Sequence, residues 1–333
     1  MATSDINARM VSVNEAKAAI EAGRVLWVGG DEHLLRQLPK GRWIGGSIPY
    51  FMSDKGGVTT KQQLYVSELD RSLAKRIQVK FYNTSTIQNI AKEGPDEGFT
   101  ILLIPAFTQL HMDYAHNAPE YEDMFIKPIA GWITGLHLDD LGSVKPIVVN
   151  GGTGEVSTDK ALAMHVTLAP GKVANIGIVN IQKQGDGDSL EFPDSGFSAT
   201  SVLVNGVEQN FAKYLIGNNV DTQLPLVADY SGAMINVSIQ EVNEGEGKVS
   251  FYAPVFSGVE YKLAAPVTDY VAQFKAALPH VNNVAFSCNC VLNYLYSELE
   301  GKQTEEFKGP MTFGEIAYQL LNQTLVYLTI DDA

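Results

Sequence analysis

Val25-Leu26-Trp27-Val28-Gly29-Gly30 is the stretch that decides the fold. A short apolar run closed by two glycines reads as a strand covered on both faces, because a strand with one wet face would alternate. Upstream, Ser12 and Glu15 form an S-x-x-E capping box that opens a helix over 13–22. Gly23 closes it where a positive φ is usual. Downstream, Gly29-Gly30 turns the chain into a helix carrying Leu34, Leu35 and Leu38 on one side. After Lys40-Gly41 a second apolar segment, Trp43-Ile44-Gly45-Gly46-Ser47-Ile48, leads to Tyr50 and Phe51. Helices and strands alternating at this spacing build an α/β layer.

Further along, 78–83 reads as a strand, 84–92 as a short helix and Phe99–Ile104 as another doubly buried strand. Residues 105–143 mix aromatics, Pro119, Pro128 and acids, which suggests loops and short helices. The centre is β-rich: 161–168, 173–182, 200–205, 233–242 and 248–256 all have strand character. The turn Asn243–Gly247 makes the last two a hairpin, and a helix follows over 267–278. The C-terminal part returns to the opening logic, with a strand at Val284–Cys288, a helix at 291–299 and a final strand at Leu325–Ile330. Lys40, Gly41, Gly46, Ile48 and Tyr50 recur without a gap as Lys308, Gly309, Gly314, Ile316 and Tyr318, 268 positions on (308 − 40). The expectation is therefore a mixed α/β fold with pseudo-duplicated ends. Two related lobes are expected, 1–155 and 156–333, the second containing the β-rich region, and they pack as one body.

Composition narrows the function. The chain has 333 residues and a formal net charge of −14, which disfavours nucleic acid and anionic membrane surfaces as partners. Arg71, Lys75, Arg76 and Lys80, the densest cationic stretch, read as a solvated helix face. No run of about 18 apolar residues is present, and the first twelve residues lack the apolar core of a signal peptide. Cys288 and Cys290 lie so close in an extended chain that a disulfide between them is geometrically poor. A reducing, cytoplasmic setting is expected.

Ser287-Cys288, Leu295-Tyr296, Phe313-Gly314-Glu315-Ile316 and Asn322-Gln323-Thr324 resemble the C-terminal part of the FIST domain family. Trp43–Ser47 is similar to that family's N-terminal glycine turn. The resemblance covers roughly 20–70 and 280–330. It implies a sensory domain that binds a small ligand in intracellular signalling. It departs after the cysteine, where the family usually has glycine and arginine and this chain has Cys290 and Val291. If that arginine holds an anionic ligand, the ligand here differs or is absent. The expected site is a cleft where Gly45-Gly46-Ser47 approaches Gly314-Glu315, with Cys288, Asn289 and Cys290 at its edge.

The other constellations are weaker. Cys288 and Cys290 stand where a strand enters a helix, a place that can lower a thiol pKa. A cysteine nucleophile would need a histidine, His111 or His165, and a small buried side chain is the duller reading. His111, Asp113 and His116 are badly spaced for one metal on a helix, and an ordered loop is the default. His165 falls on the polar parity of its strand, free to line a cleft or to be hydrogen-bonded. Gly151–Glu155 lacks phosphate-loop spacing and reads as a β-turn. Glu315, if buried, needs a partner, for which a ligand amine and a capping role are the alternatives. These residues point to a small-molecule-binding sensory or signal-transduction protein without catalysis, cofactor or metal. Its ligand is amino-acid-like, and a protein partner relays the signal. A cysteine-dependent hydrolase or transferase and a protein-interaction scaffold are the alternatives.

Overall fold

The computed structural model describes residues 6–230, 233–304 and 307–333. The fold is strand-rich and mixed α/β, and one unit of topology occurs in it three times. The first unit contains β1 (Ile6–Val11), α1 (Val13–Glu21), β2 (Val25–Gly30), α2 (Glu32–Leu35) and β3 (Trp43–Ser47). A hairpin follows, β4 (Tyr50–Ser53) and β5 (Gly56–Thr59), and then β6 (Leu64–Leu69). The second unit repeats the order with β7 (Ala74–Tyr82), β8 (Gly98–Pro105), α3 (Gln109–Asn117) and β9 (Ile129–Thr134). Its hairpin is β10 (Val148–Asn150) and β11 (Glu155–Ser157), and β12 (Ala161–Leu168) closes it.

The third unit opens with β13 (Lys172–Val179) and is interrupted by an inserted lobe. That lobe holds β14 (Leu190–Glu191), β15 (Gly196–Ala199), β16 (Ser201–Val204), β17 (Val207–Asn210) and α4 (Phe211–Gly217). It continues through β18 (Leu226–Tyr230), β19 (Ala233–Val237), β20 (Ile239–Asn243), β21 (Lys248–Val255), β22 (Glu260–Leu263) and α5 (Tyr270–Ala277). The unit resumes with β23 (Val284–Cys290), α6 (Val291–Tyr296), β24 (Gly309–Thr312), the hairpin β25 (Glu315–Ala317) and β26 (Gln319–Leu321), and β27 (Leu325–Asp332).

Each unit centres on a parallel pair, β2 with β3, β8 with β9 and β23 with β24. Each hairpin leaves its own sheet. The first unit's β4–β5 completes the third sheet, the second unit's β10–β11 the first, and the third unit's β25–β26 the second. The exchange is cyclic, so every sheet depends on another unit for one edge. A division at residue 155 falls at the start of β11, inside the first sheet.

The parallel registers end at Gly30↔Ser47, Pro105↔Thr134 and Cys290↔Thr312. Ser47 thus corresponds to Thr312, 265 positions on (312 − 47). The five identities at offset 268 do not superpose equivalent residues. Order of elements, not that ungapped match, relates the two ends, and a third copy lies at 74–168.

One core explains why the central strands carry no polar parity. Val25 and Trp27, Phe99, Ile101 and Leu103, and Phe286 and Cys288 all belong to one buried cluster that all three sheets enclose. Its aromatics come from every unit: Phe286 stacks on Trp132 at 5.7 Å and meets Trp27 edge-on at 6.4 Å. The opposite parity faces helices instead, Leu26 and Val28 against α1 and α2, Leu102 and Ile104 against α3. Each buried apolar side chain contributes roughly 1.5–3 kcal/mol.

Several expectations change. Lys75, Arg76 and Lys80 lie on β7, an edge strand, where charge blunts edge-to-edge pairing. Residues 84–92 hold only a short 3₁₀ turn, Ile87–Asn89. The stretch 105–143 contains a nine-residue helix and a central strand. The capping box is present, with Ser12 Oγ accepting from Glu15 N and the Glu15 carboxylate accepting from Ser12 N. No helix among the described residues is long and apolar enough to cross a membrane.

Candidate functional site

Ligand crevices in parallel α/β structures lie beyond the carboxyl ends of the strands. Two cavities of this protein occupy such positions. The first, about 410 Å³, lies between the first and second units and is lined by Asp31, His33, Arg36, Ser47, Lys61, His137 and Asp140, among others. Its charges largely satisfy one another: Asp31 with His33, Glu32 with Arg36 and Lys61 with Asp140.

The second, about 420 Å³, lies between the second and third units and is roofed by the inserted lobe. Phe107, Met112, Phe197, Leu295 and Phe313 give it a mostly apolar wall. Size and character match small-molecule sites, which run about 300–1,000 Å³ with a few placed polar groups. Phe107, between β8 and α3, has φ 63° and meets Phe313 edge-on at 5.8 Å. A bulky residue in that conformation is strained by about 1–3 kcal/mol, and such strain collects at ligand sites. From the insert, Lys248, Ser250, Phe251 and Tyr252 of β21 line the cleft, and Val249 and Phe251 belong to the insert's core.

His111 is the distinctive polar group of this wall. It sits in the first turn of α3, where Thr108 Oγ1 accepts from its backbone N–H at 3.1 Å. The residue is 93% buried, and among the described residues Nε2 has no hydrogen-bond partner. Burial holds its pKa down at about 4, so the imidazole is neutral at pH 7.

The sequence-derived site residues lie elsewhere, in part just beneath. Gly45 and Gly46 are fully buried, and a Cβ on Gly46 would stand 2.5 Å from Thr134 Cγ2 and 3.1 Å from Trp132 Nε1. Gly46 lets β3 pack on β9, whereas a Cβ on Gly45 would meet Trp43 and Leu35 on the opposite face. Ser47 borders the charged cavity, but its hydroxyl is committed, donating to Gly135 O and accepting from Ile147 N, both at 2.8 Å. Gly314 and Glu315 pair with β9 beside Ile133 and Trp132. No cleft opens between the two glycine turns among the described cavities. Both turns pack instead against the end of β9.

Cys288, Asn289, Cys290 and Glu315 do come together, as a buried polar cluster. The Glu315 carboxyl accepts from Thr312 Oγ1 at 3.2 Å and from Thr324 N and Oγ1 at 3.2 and 2.9 Å. Burial pushes its pKa up to about 8. The partner its burial demands is thus internal, two threonines rather than a ligand amine. Asn289 Oδ1 accepts from Cys290 N and from Asn293 Nδ2. Both thiols are unpaired, and burial, then the Glu315 carboxyl, pushes their pKa values up. That is the reverse of what a nucleophile needs. Cys290 caps α6, whose Val291, Leu292, Leu295 and Tyr296 line the apolar cleft. The Cys290–Glu315 cluster therefore supports the cleft's floor without lining it.

The motif Asn322-Gln323-Thr324 also has a structural task. Asn236 Nδ2 donates to Asn322 O at 3.0 Å, and Gln323 Nε2 donates to Ser238 Oγ at 3.2 Å. These buried amides seat the insert on the three-unit body. His165 is a satisfied buried histidine, bonded to Tyr82 Oη at 2.9 Å and Thr100 Oγ1 at 2.8 Å. His111, Asp113 and His116 ride on α3 rather than on a loop, and no metal-binding cluster exists among the described residues.

The sequence offered little to select the lining. His111 stood in a stretch without clear periodicity. Lys248, Ser250 and Tyr252 were legible only as one parity of a strand whose packing partner was unknown. A sequence family of unknown function (DUF6976) matches residues 11–331. No curated protein matches the chain.

Proposed function

The chain belongs to the DUF6976 family, and for it we propose a sensory function without covalent chemistry: binding a small, largely apolar molecule in the cleft beneath the insert. The observation that carries this reading is the apolar cavity itself, with His111 in its wall and the buried Nε2 of that ring without a partner among the described residues. An unsatisfied buried polar atom costs about 1–3 kcal/mol. A bound molecule carrying a polar atom would relieve that cost. The strained Phe107 at the same wall and the resemblance of both ends to FIST sensory domains support the reading. A reducing, cytoplasmic setting suits the two unpaired cysteines.

Nile red, a neutral dye that fluoresces in apolar surroundings, tests it. Saturable, one-to-one enhancement is expected, and a linear or absent response rules the reading out. Replacing His111 with leucine is expected to raise the stability of the unliganded protein by about 1–2 kcal/mol, read by urea denaturation. Unchanged or lowered stability would mean that Nε2 is not a cost waiting for a ligand.

A further inference from the structure

We infer that the ligand of the apolar cleft is an amphipathic monocarboxylate whose acid group sits at Lys248. This rests on the binding reading above and adds the chemical class. Among the described residues, Lys248 is the one cationic side chain that lines the cleft, and no carboxylate lines it. Lys248 forms no ion pair among the described residues, in a protein of net charge −14. An ammonium group beside apolar surface, with Glu241 on the neighbouring strand outside the cleft's lining, is placed to receive an anion.

Lys248, Ser250 and Tyr252 alternate along β21 and all line the cleft, a cation followed by two hydroxyl-bearing side chains. Gln240 and Ser198 add an amide and another hydroxyl from β20 and β15. Neutral donors around one cation suit a carboxylate. A phosphate group, carrying more charge, would call for an arginine fork or several cations. The remaining wall, Phe107, Met112, Leu295 and Phe313, offers only apolar contact and requires an alkyl or aryl body.

Octanoate and 1-octanol, equal in chain length and different in charge, make the test. Each is titrated by displacement of Nile red from the wild-type chain and from Lys248→Met, which keeps the apolar stem. Octanoate is expected to bind the wild type at least about fivefold more tightly than 1-octanol, as charge recognition at a partly desolvated site allows. Lys248→Met should abolish that preference and leave 1-octanol unchanged, which also shows that the variant is folded. Equal binding of the two by the wild type, or an octanoate affinity indifferent to Lys248→Met, overturns the carboxylate assignment while leaving the cleft a binding site. Failure of both molecules to displace the dye overturns the assignment as well, and absence of dye binding in the first place removes the reading beneath it.

Discussion

Replacing Glu315 with glutamine is expected to leave the protein about as stable as the wild type at pH 5 and several kcal/mol more stable at pH 8.5. The Glu315 carboxyl lies at 0% exposure with three hydrogen bonds from threonine groups and, among the described residues, no paired cation, and burial raises its pKa from 4.5 to about 8. Between those values the folded state holds a proton that the unfolded state has released. Stability therefore falls as pH rises through the window, and is flat below about 4.5 and above about 8. A shift of this size corresponds to roughly 5 kcal/mol at 1.36 kcal/mol per unit. Glutamine cannot ionise, so the variant loses that slope. His111 and His165 act in the opposite sense lower down. Burial takes both to about 4 from 6.5, so each adds stability as pH rises from 4 to 6.5. The difference between variant and wild type cancels their contribution. Urea denaturation at pH 5, 6.5 and 8.5 reads it, and parallel curves for the two chains would mean that Glu315 stays ionised with an unseen partner.

Substituting alanine for Gly309 is expected to cost about 3 kcal/mol or more. Gly309 opens β24 against β23, and a Cβ there would lie 2.1 Å from the Ser287 carbonyl oxygen and 3.0 Å from its carbon. The obstacle is backbone in the middle of a sheet, so no side chain can turn aside. On its other edge Gly309 pairs with Met52 of the exchanged hairpin, and shifting β24 would loosen that contact too. Ordinary overpacking costs about 1–3 kcal/mol, and this conflict belongs at or beyond the upper end. Gly187→Ala, which meets nothing within 4 Å, is the control and should stay within about 0.5 kcal/mol. Similar denaturation midpoints for the two variants would contradict the packing described for β23 and β24.

The elements were more legible than their assembly. Unbroken apolar runs at Val25–Val28 and Phe99–Ile104 announce strands covered on both faces, and the structure covers them with a shared core on one side and helices on the other. The likeness of the two ends was visible in the order of strand, helix and turn. Its third copy was not, because α3 and β9 lie among prolines and aromatics that obscure their periods. Hairpin exchange leaves no local signature at all, since β4–β5 has the same turn chemistry whichever sheet it completes. Glycine marked close packing correctly at Gly46 and Gly309, but a glycine needed for a neighbouring strand and one needed for a ligand look alike in sequence. The cleft depends on how the insert sits on the body, through Asn236, Ser238, Asn322 and Gln323, and no single stretch encodes that.

The central claim is that the cleft beneath the insert is where a small molecule binds, and the most direct measurement places the bound dye. Ser250 faces the cleft from β21, so Ser250→Trp fills it, whereas Ser85→Trp adds the same indole at an exposed turn far along the second unit. Titration of Nile red into both variants, each checked for an unchanged melting transition, is expected to show binding lost in Ser250→Trp and retained in Ser85→Trp. Saturable binding of equal strength in both would contradict the account.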